Sequence, residues 1–256
     1  MFNRQFMDLV RHQLIRVLAK QARSARDQKP SEPALRYTEE DVAVFVDLQN
    51  LHYFLKENCR VAATQVHIPN LLRDFAAVHR MDLREIHVVT GIHDPRREPQ
   101  KHEAMVKRLR WLERNGVKVT ALPLSYYKDH STQEVRVQEK GVDVRIASEI
   151  LRAVNDGLTR AIVASQDKDI GEALVVAQDM ARERGRKFTA FTMALEDTTW
   201  EHNGKCGMNG LRGTVRLPIG VDLVKRHVRP DRAPAEREQR SDLASSGVQN
   251  QQSAGA

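Results

Sequence analysis

From residue 41 onward the chain switches repeatedly between two hydrophobic rhythms. The runs "VAVFVD" (42–47), "EIHVVTG" (85–91), "VKVTAL" (117–122), "AIVAS" (161–165) and "KFTAFT" (187–192) are short and apolar, as strands buried on both faces of a parallel sheet are. Between them, "LLRDFAAVH" (71–79), "KHEAMVKRLRWLERNG" (101–116), the segment from Asp143 to Asp156 and residues 169–184 carry apolar side chains at helical spacing. Residues 134–141 read as a connection. Strands alternating with helices predict an α/β sandwich, a mostly parallel sheet covered on both faces. After Thr192 the pattern weakens: 203–213 is a glycine-rich loop, "TVRLP" an edge-strand candidate and "VDLVKRHV" a short helix.

Upstream, Phe2, Phe6, Leu9, Val10, Leu14, Val17 and Leu18 recur at helical spacing among Arg4, Arg11, Arg16 and Lys20, so residues 1–28 predict a basic amphipathic helix. It would pack on the domain, self-associate, or dock a protein partner or a nucleic-acid backbone. Its arginines also suit an organelle transit peptide, against which Asp8, Asp27 and the lack of a serine-rich stretch count. Two prolines mark 29–40 as a linker. The compact domain is expected over 41–228, with its core in 41–192, and a disordered tail over 229–256, where proline, charge, serine, glutamine and glycine dominate.

Composition narrows the classes. With 41% hydrophobic and 29% charged residues in 256, and no apolar run of bilayer length, the chain is expected to be soluble, without a membrane span. Cys59 and Cys206 belong to no CxxC pair, which points to free thiols in a reducing, cytoplasmic setting. Forty-one Lys and Arg against 34 Asp and Glu leave a net charge of +7, favouring a polyanionic partner.

In open parallel α/β sheets ligands bind outside the carboxyl ends of the strands, so the residues just beyond the strands decide the chemistry. Asp47 ends the first run, with Asn50 three residues on. Asp167 and Asp169 follow the run closing at Ser165, with Lys168 between them. In "EKGVDVRIASEIL", Asp143 opens a helix whose apolar face is Ile146, Ala147, Ile150, Leu151 and Val154. Singly, these acids have structural explanations: Asp143 and Asp167 as N-caps, Asp169 in a first turn that favours negative charge. Asp47 is harder to account for, because an acid ending an apolar strand is costly unless it is paired or bound. Four converging carboxylates would repel one another unless a cation neutralised them. Carboxylates are ligands of Mg²⁺ or Mn²⁺, and no His or Cys cluster indicates zinc. Such an ion in a basic protein points to phosphodiester hydrolysis on nucleic acid.

Together, "VAVFVDLQNLHYFL", "EKGVDVRIASEIL" and "AIVASQDKDIGEAL" resemble, in order and spacing over roughly 41–192, the NYN domains of the LabA-like group in the PIN-like nuclease superfamily. The resemblance implies a PIN-like Rossmannoid three-layer sandwich and a metal-dependent ribonuclease, with RNA favoured over DNA. It places Asp47, Asp143, Asp167 and Asp169 as catalytic ligands of Mg²⁺ or Mn²⁺. Asn50, Ser165 and Lys140 fall on its polar motif positions, as substrate-binding candidates. Glu149 falls where the family usually has Asp and is a fifth, lesser candidate ligand of the metal, since six helical residues turn it away from Asp143, and Arg145 and Arg152 stand at spacings that would pair with it. Leu48 replaces a glycine, Gln166 and Lys168 replace small residues, and Ile170 stands where Phe is common. Gln166 narrows a backbone approach that glycine permits. Lys168 either contacts phosphate or takes the cation's place.

Beyond the motifs, "HDPRREPQKHE" (93–103) offers Arg96 and Arg97 to a phosphate backbone, or is a solvated charge run. Lys128 beside Tyr126 and Tyr127 suggests a phosphate contact with base stacking, or tyrosines packing a loop. His52, His67 and Trp111 read as structural. Three functions fit: a metal-dependent endoribonuclease, a catalytically inactive nucleic-acid-binding or regulatory module of the same fold, and a small-molecule phosphatase, which the order of the three motifs and the basic charge disfavour.

Overall fold

The computed structural model describes residues 36–129, 134–165, 167–195 and 211–229. The amphipathic segment 1–28, most of the linker, Gln166, Trp200, Cys206 and the tail expected over 229–256, except Arg229, lie outside the described residues.

Strand β1 (Asp41–Asp47) is buried at every position. Its side chains divide by the two-residue period of a strand: Val42, Val44 and Val46 enter one core, Ala43 and Phe45 the other. The chain continues through α1 (Leu48–Cys59), α2 (Ile68–Val78), β2 (Asp82–Ile92), α3 (Pro99–Arg114) and β3 (Val117–Pro123). A hairpin follows, β4 (Ser125–Lys128) with β5 (Val135–Gln138). Then come α4 (Val142–Asn155), β6 (Arg160–Ala164), α5 (Lys168–Glu183), β7 (Thr189–Leu195), β8 (Thr214–Ile219) and α6 (Val221–Arg226).

Six strands form one sheet in the order β3-β2-β1-β6-β7-β8, with every neighbouring pair parallel. Buried residues of α1, α2, α3 and α6 share one core, and those of α4 and α5 the other, giving the three layers expected from the sequence. This division follows from crossovers of a single hand once the direction of travel along the sheet reverses. The reversal lies between β1 and β6, where sheets of this kind open a crevice beyond the strand ends. Phe45, Phe54 and Phe75 are fully buried around the frame, and each contributes roughly 1.5–3 kcal/mol by transfer from water. The site therefore stands on packed elements.

Two local readings change. Residues 48–59, to which the hydrophobic pattern assigned no element, form α1 and bury Leu48, Leu51, Phe54 and Leu55 at helical spacing. The connection expected over 134–141 contains β5, paired antiparallel with β4 from Ser125↔Gln138 to Lys128↔Val135. All four β5 residues are exposed, and the alternation of Val135 and Val137 with Arg136 and Gln138 spans only four residues among polar neighbours, too short to set a strand apart from a connection. The edge strand and short helix expected after 213 are β8 and α6.

Candidate metal centre

The carboxylate of Asp47 has a structural task at the end of β1. Its Oδ1 accepts from the Gln49 and Asn50 amides at 3.0 Å each, capping α1, and its Oδ2 accepts from the Asn50 side-chain amide at 2.5 Å. The residue is only 5% exposed. Burial pushes its carboxyl above the ordinary range, the bonds from Asn50 and Gln49 pull it down, and the charge of Asp167 adds to the rise.

Beyond β6 the chain descends through two side-chain turns. The hydroxyl of fully buried Ser165 accepts from the Asp167 amide at 3.1 Å, and Oδ1 of Asp167 accepts from the Asp169 amide at 2.9 Å as the N-cap of α5. Serine and aspartate that bond the backbone two residues on are turn formers. The repeated step brings the carboxylates of Asp167 and Asp169 together, which explains acids two residues apart after an apolar strand.

Asp143 reaches the same place from α4. The N-cap of that helix is Gly141, at φ 80°, with no side-chain cap, a left-handed conformation that suits glycine. Asp143 thus lies in the first turn rather than at the cap position. Because α4 and α5 pack in one layer, their first turns meet, and one oxygen each from Asp143, Asp167 and Asp169 lie within 4.8 Å of one another.

Two like charges 4 Å apart repel by about 1 kcal/mol in water and about 4 kcal/mol at an effective dielectric of 20. Acids so placed repel one another, which the positive ends of two helices offset in part and a cation would remove. Metal–oxygen bonds of roughly 2.0–2.6 Å set opposite ligand oxygens about 4–5 Å apart. The spacing and the all-oxygen donor set therefore fit a hard divalent ion.

Of the five predicted ligands, three converge. Asp47 stands outside the triad and meets it as a charge near Asp167. Glu149 is not brought in: it pairs with Arg145 at 2.5 Å and Arg152 at 3.8 Å, the arrangement its helical spacing favoured. Two candidate substrate contacts act as supports, Asn50 for Asp47 and Ser165 for the Asp167 turn. Lys140 and Lys168 are exposed, as are Arg96, Arg97 and Lys128. Arg97 lies 4.9 Å from the centre of the Tyr126 ring, whose hydroxyl accepts from the Asp94 amide at 3.1 Å and bonds His93 Nδ1 at 3.0 Å. Tyr126 thus ties the hairpin to the loop after β2, while Tyr127 is 46% exposed. His67 caps α2 by accepting from the Asn70 amide at 3.3 Å, and Trp111 packs edge-on against it.

One acid at this edge was not singled out from the sequence. Oε1 of Glu139 accepts from the Gly91 amide, at the end of β2, at 2.6 Å. Burial pushes the Glu139 carboxyl up, the Gly91 bond pulls it down, and the charge of Asp47 adds to the rise. The only signal in the sequence was its place directly before Lys140 and Gly141.

A family model described as the NYN domain matches residues 41–203. No curated protein matches the chain. Among solved structures, the tetrameric inhibited form of phosphofructokinase-2 from Escherichia coli aligns with 50% of this chain and 42% of that chain, at 10% identity and a TM-score of 0.26. So slight a likeness bears on neither fold nor site.

Proposed function

Since the chain belongs to the NYN domain family, within the PIN-like superfamily, we propose that it is a metal-dependent endoribonuclease of the LabA-like group, acting in the cytoplasm. The observation that carries this reading is the meeting of Asp143, Asp167 and Asp169 within 4.8 Å beside the β1/β6 reversal. These three would hold Mg²⁺ or Mn²⁺, with Asp47 as a fourth charge fixed by Asn50. A divalent ion bound there supplies an activated water and offsets charge on the phosphodiester.

The chain's own residues do the rest. Ser165 and the Asp167 cap hold the two acids of α5 in place before any ligand arrives, so little reorganisation is needed on binding. The amides opening α4 and α5 favour an anionic phosphate. Arg96, Arg97, Lys128, Lys140 and Lys168 are exposed and suited to the RNA backbone, while Tyr127 offers a ring for a base.

The test is cleavage of labelled single-stranded RNA and DNA in Mn²⁺, Mg²⁺ or EDTA, with Asp143→Asn and Asp167→Asn beside wild type. The expected result is cutting of RNA that EDTA abolishes and that each variant loses by more than the roughly 10–100-fold that removal of an outer-shell partner costs. RNA binding without cleavage in every metal would favour the second reading, an inactive binding module, which is suggested by exposed Lys168 standing between two of the acids.

A further inference from the structure

Glu139 has a seat built for it. β1 pairs with β2 only as far as Asp47↔Val89. Two residues further along β2, the Gly91 amide donates to Glu139 Oε1 at 2.6 Å. A Cβ on residue 91 would lie 2.7 Å from that oxygen, 2.8 Å from Glu139 Cγ, and against Leu124 Cδ2. Only glycine lets the carboxylate approach so closely, since real Cβ atoms essentially never pack below 3.0 Å.

The seat explains where the charge is, but not why it is a charge. A neutral glutamine oxygen would take the same amide proton. A half-buried carboxylate that feels the charge of Asp47 costs stability unless something positive comes to meet it. The four residues after Glu139 run through exposed Lys140 and left-handed Gly141 to Asp143. Glu139 is therefore seated on β2 two residues beyond the partner of Asp47, and it precedes the acid that opens α4 by four residues.

We infer that Glu139 is a charged positioning residue of the metal centre: from its seat on Gly91 it adds a fifth negative charge at the strand ends that strengthens divalent-ion binding, and it anchors the turn that delivers Asp143. The inference rests on the reading of the triad as a metal site. Glu139 bonds none of the three acids, so it acts on affinity through its charge and the placement of Asp143, with an effect at the lower end of the roughly 10–100-fold that outer-shell partners bonded to ligands carry.

Two substitutions separate charge from seat. Glu139→Gln keeps an oxygen for the Gly91 amide and loses the charge; Glu139→Asp keeps the charge and falls short of the amide. Mn²⁺ affinity of the full-length protein is measured by calorimetry for wild type, both variants, Asp167→Asn, and Glu57→Gln as a control for net charge at an exposed site, with melting curves for each. The expected order is wild type, then Glu139→Asp, then Glu139→Gln at least about tenfold weaker than wild type, with Glu57→Gln unchanged. The reverse order, with Glu139→Gln equal to wild type and Glu139→Asp weakened, would make Glu139 a structural staple and overturn the inference, while loss in Asp167→Asn left the metal site itself standing. Wild type that binds no Mn²⁺ would overturn both.

Discussion

Asp167 does three things with one carboxylate: it ends a turn, caps α5, and stands within 4.8 Å of two other acids. Asparagine keeps an acceptor for the Asp169 amide and removes a charge, so Asp167→Asn separates the structural tasks from the electrostatic one. In metal-free buffer the variant is expected to melt at or a few degrees above wild type, because fewer like charges are crowded together. Addition of Mn²⁺ should raise the melting temperature of wild type, as a ligand specific to the folded state does, and leave the variant unmoved; thermal unfolding with and without Mn²⁺ checks both. Asp167, Asp169 and Asp143 were legible in the sequence because short turns fix side chains to the backbone at set spacings. The hydrogen bonds of Asn50 and Ser165 were not, since the spacing of a polar residue does not say whether it faces a substrate or its own backbone. Glu139 was hidden for another reason. Its partner Gly91 is 48 residues away, and no local pattern records such a pairing.

At the scale of elements, β2 carries a second charged junction, at the opposite end from Gly91. Glu85 accepts from Lys118 on β3 at 2.7 Å and from the Tyr37 hydroxyl at 2.9 Å, and its carboxylate bonds His87 at 2.9 Å. Burial would raise the Glu85 carboxyl, but the Lys118, His87 and Tyr37 bonds outweigh it and hold the group at about 2 instead of 4.5. A lowered folded value means that the carboxylate's contribution is complete above pH 4.5 and is lost as pH falls toward 2. Glu85→Gln is therefore expected to cost about 1.5–3 kcal/mol at pH 7, the range for bonds to a charged group. Its deficit against wild type should narrow between pH 4.5 and 2, as denaturant unfolding across that range would show. The strands most legible in the sequence were those buried on both faces, such as β1 and β6. The order of strands in the sheet was not legible, because the pattern that marks a buried strand carries no record of its neighbours. It was the reversal between β1 and β6 that brought separate motifs to one edge.

For the whole molecule, the net charge of +7 and the exposed arginines of the loop after β2 set the expected behaviour toward nucleic acid. Affinity should fall as salt rises, with a slope set by how many phosphates the protein neutralises. Arg96→Glu together with Arg97→Glu is expected to flatten that slope by about one for each phosphate no longer neutralised, weakening binding across sequences while leaving Mn²⁺ affinity unchanged; filter binding over a salt series reads the slope. Among the described residues no helix is long and apolar enough to cross a membrane. The central claim is that Asp143, Asp167 and Asp169 together hold a hard divalent ion. Anomalous diffraction from crystals soaked in Mn²⁺, collected near the manganese edge, tests it directly. The account predicts an anomalous peak bonded to oxygens of all three aspartates and absent from Asp167→Asn crystals. A triad without a peak, or a peak unmoved by that substitution, would contradict it.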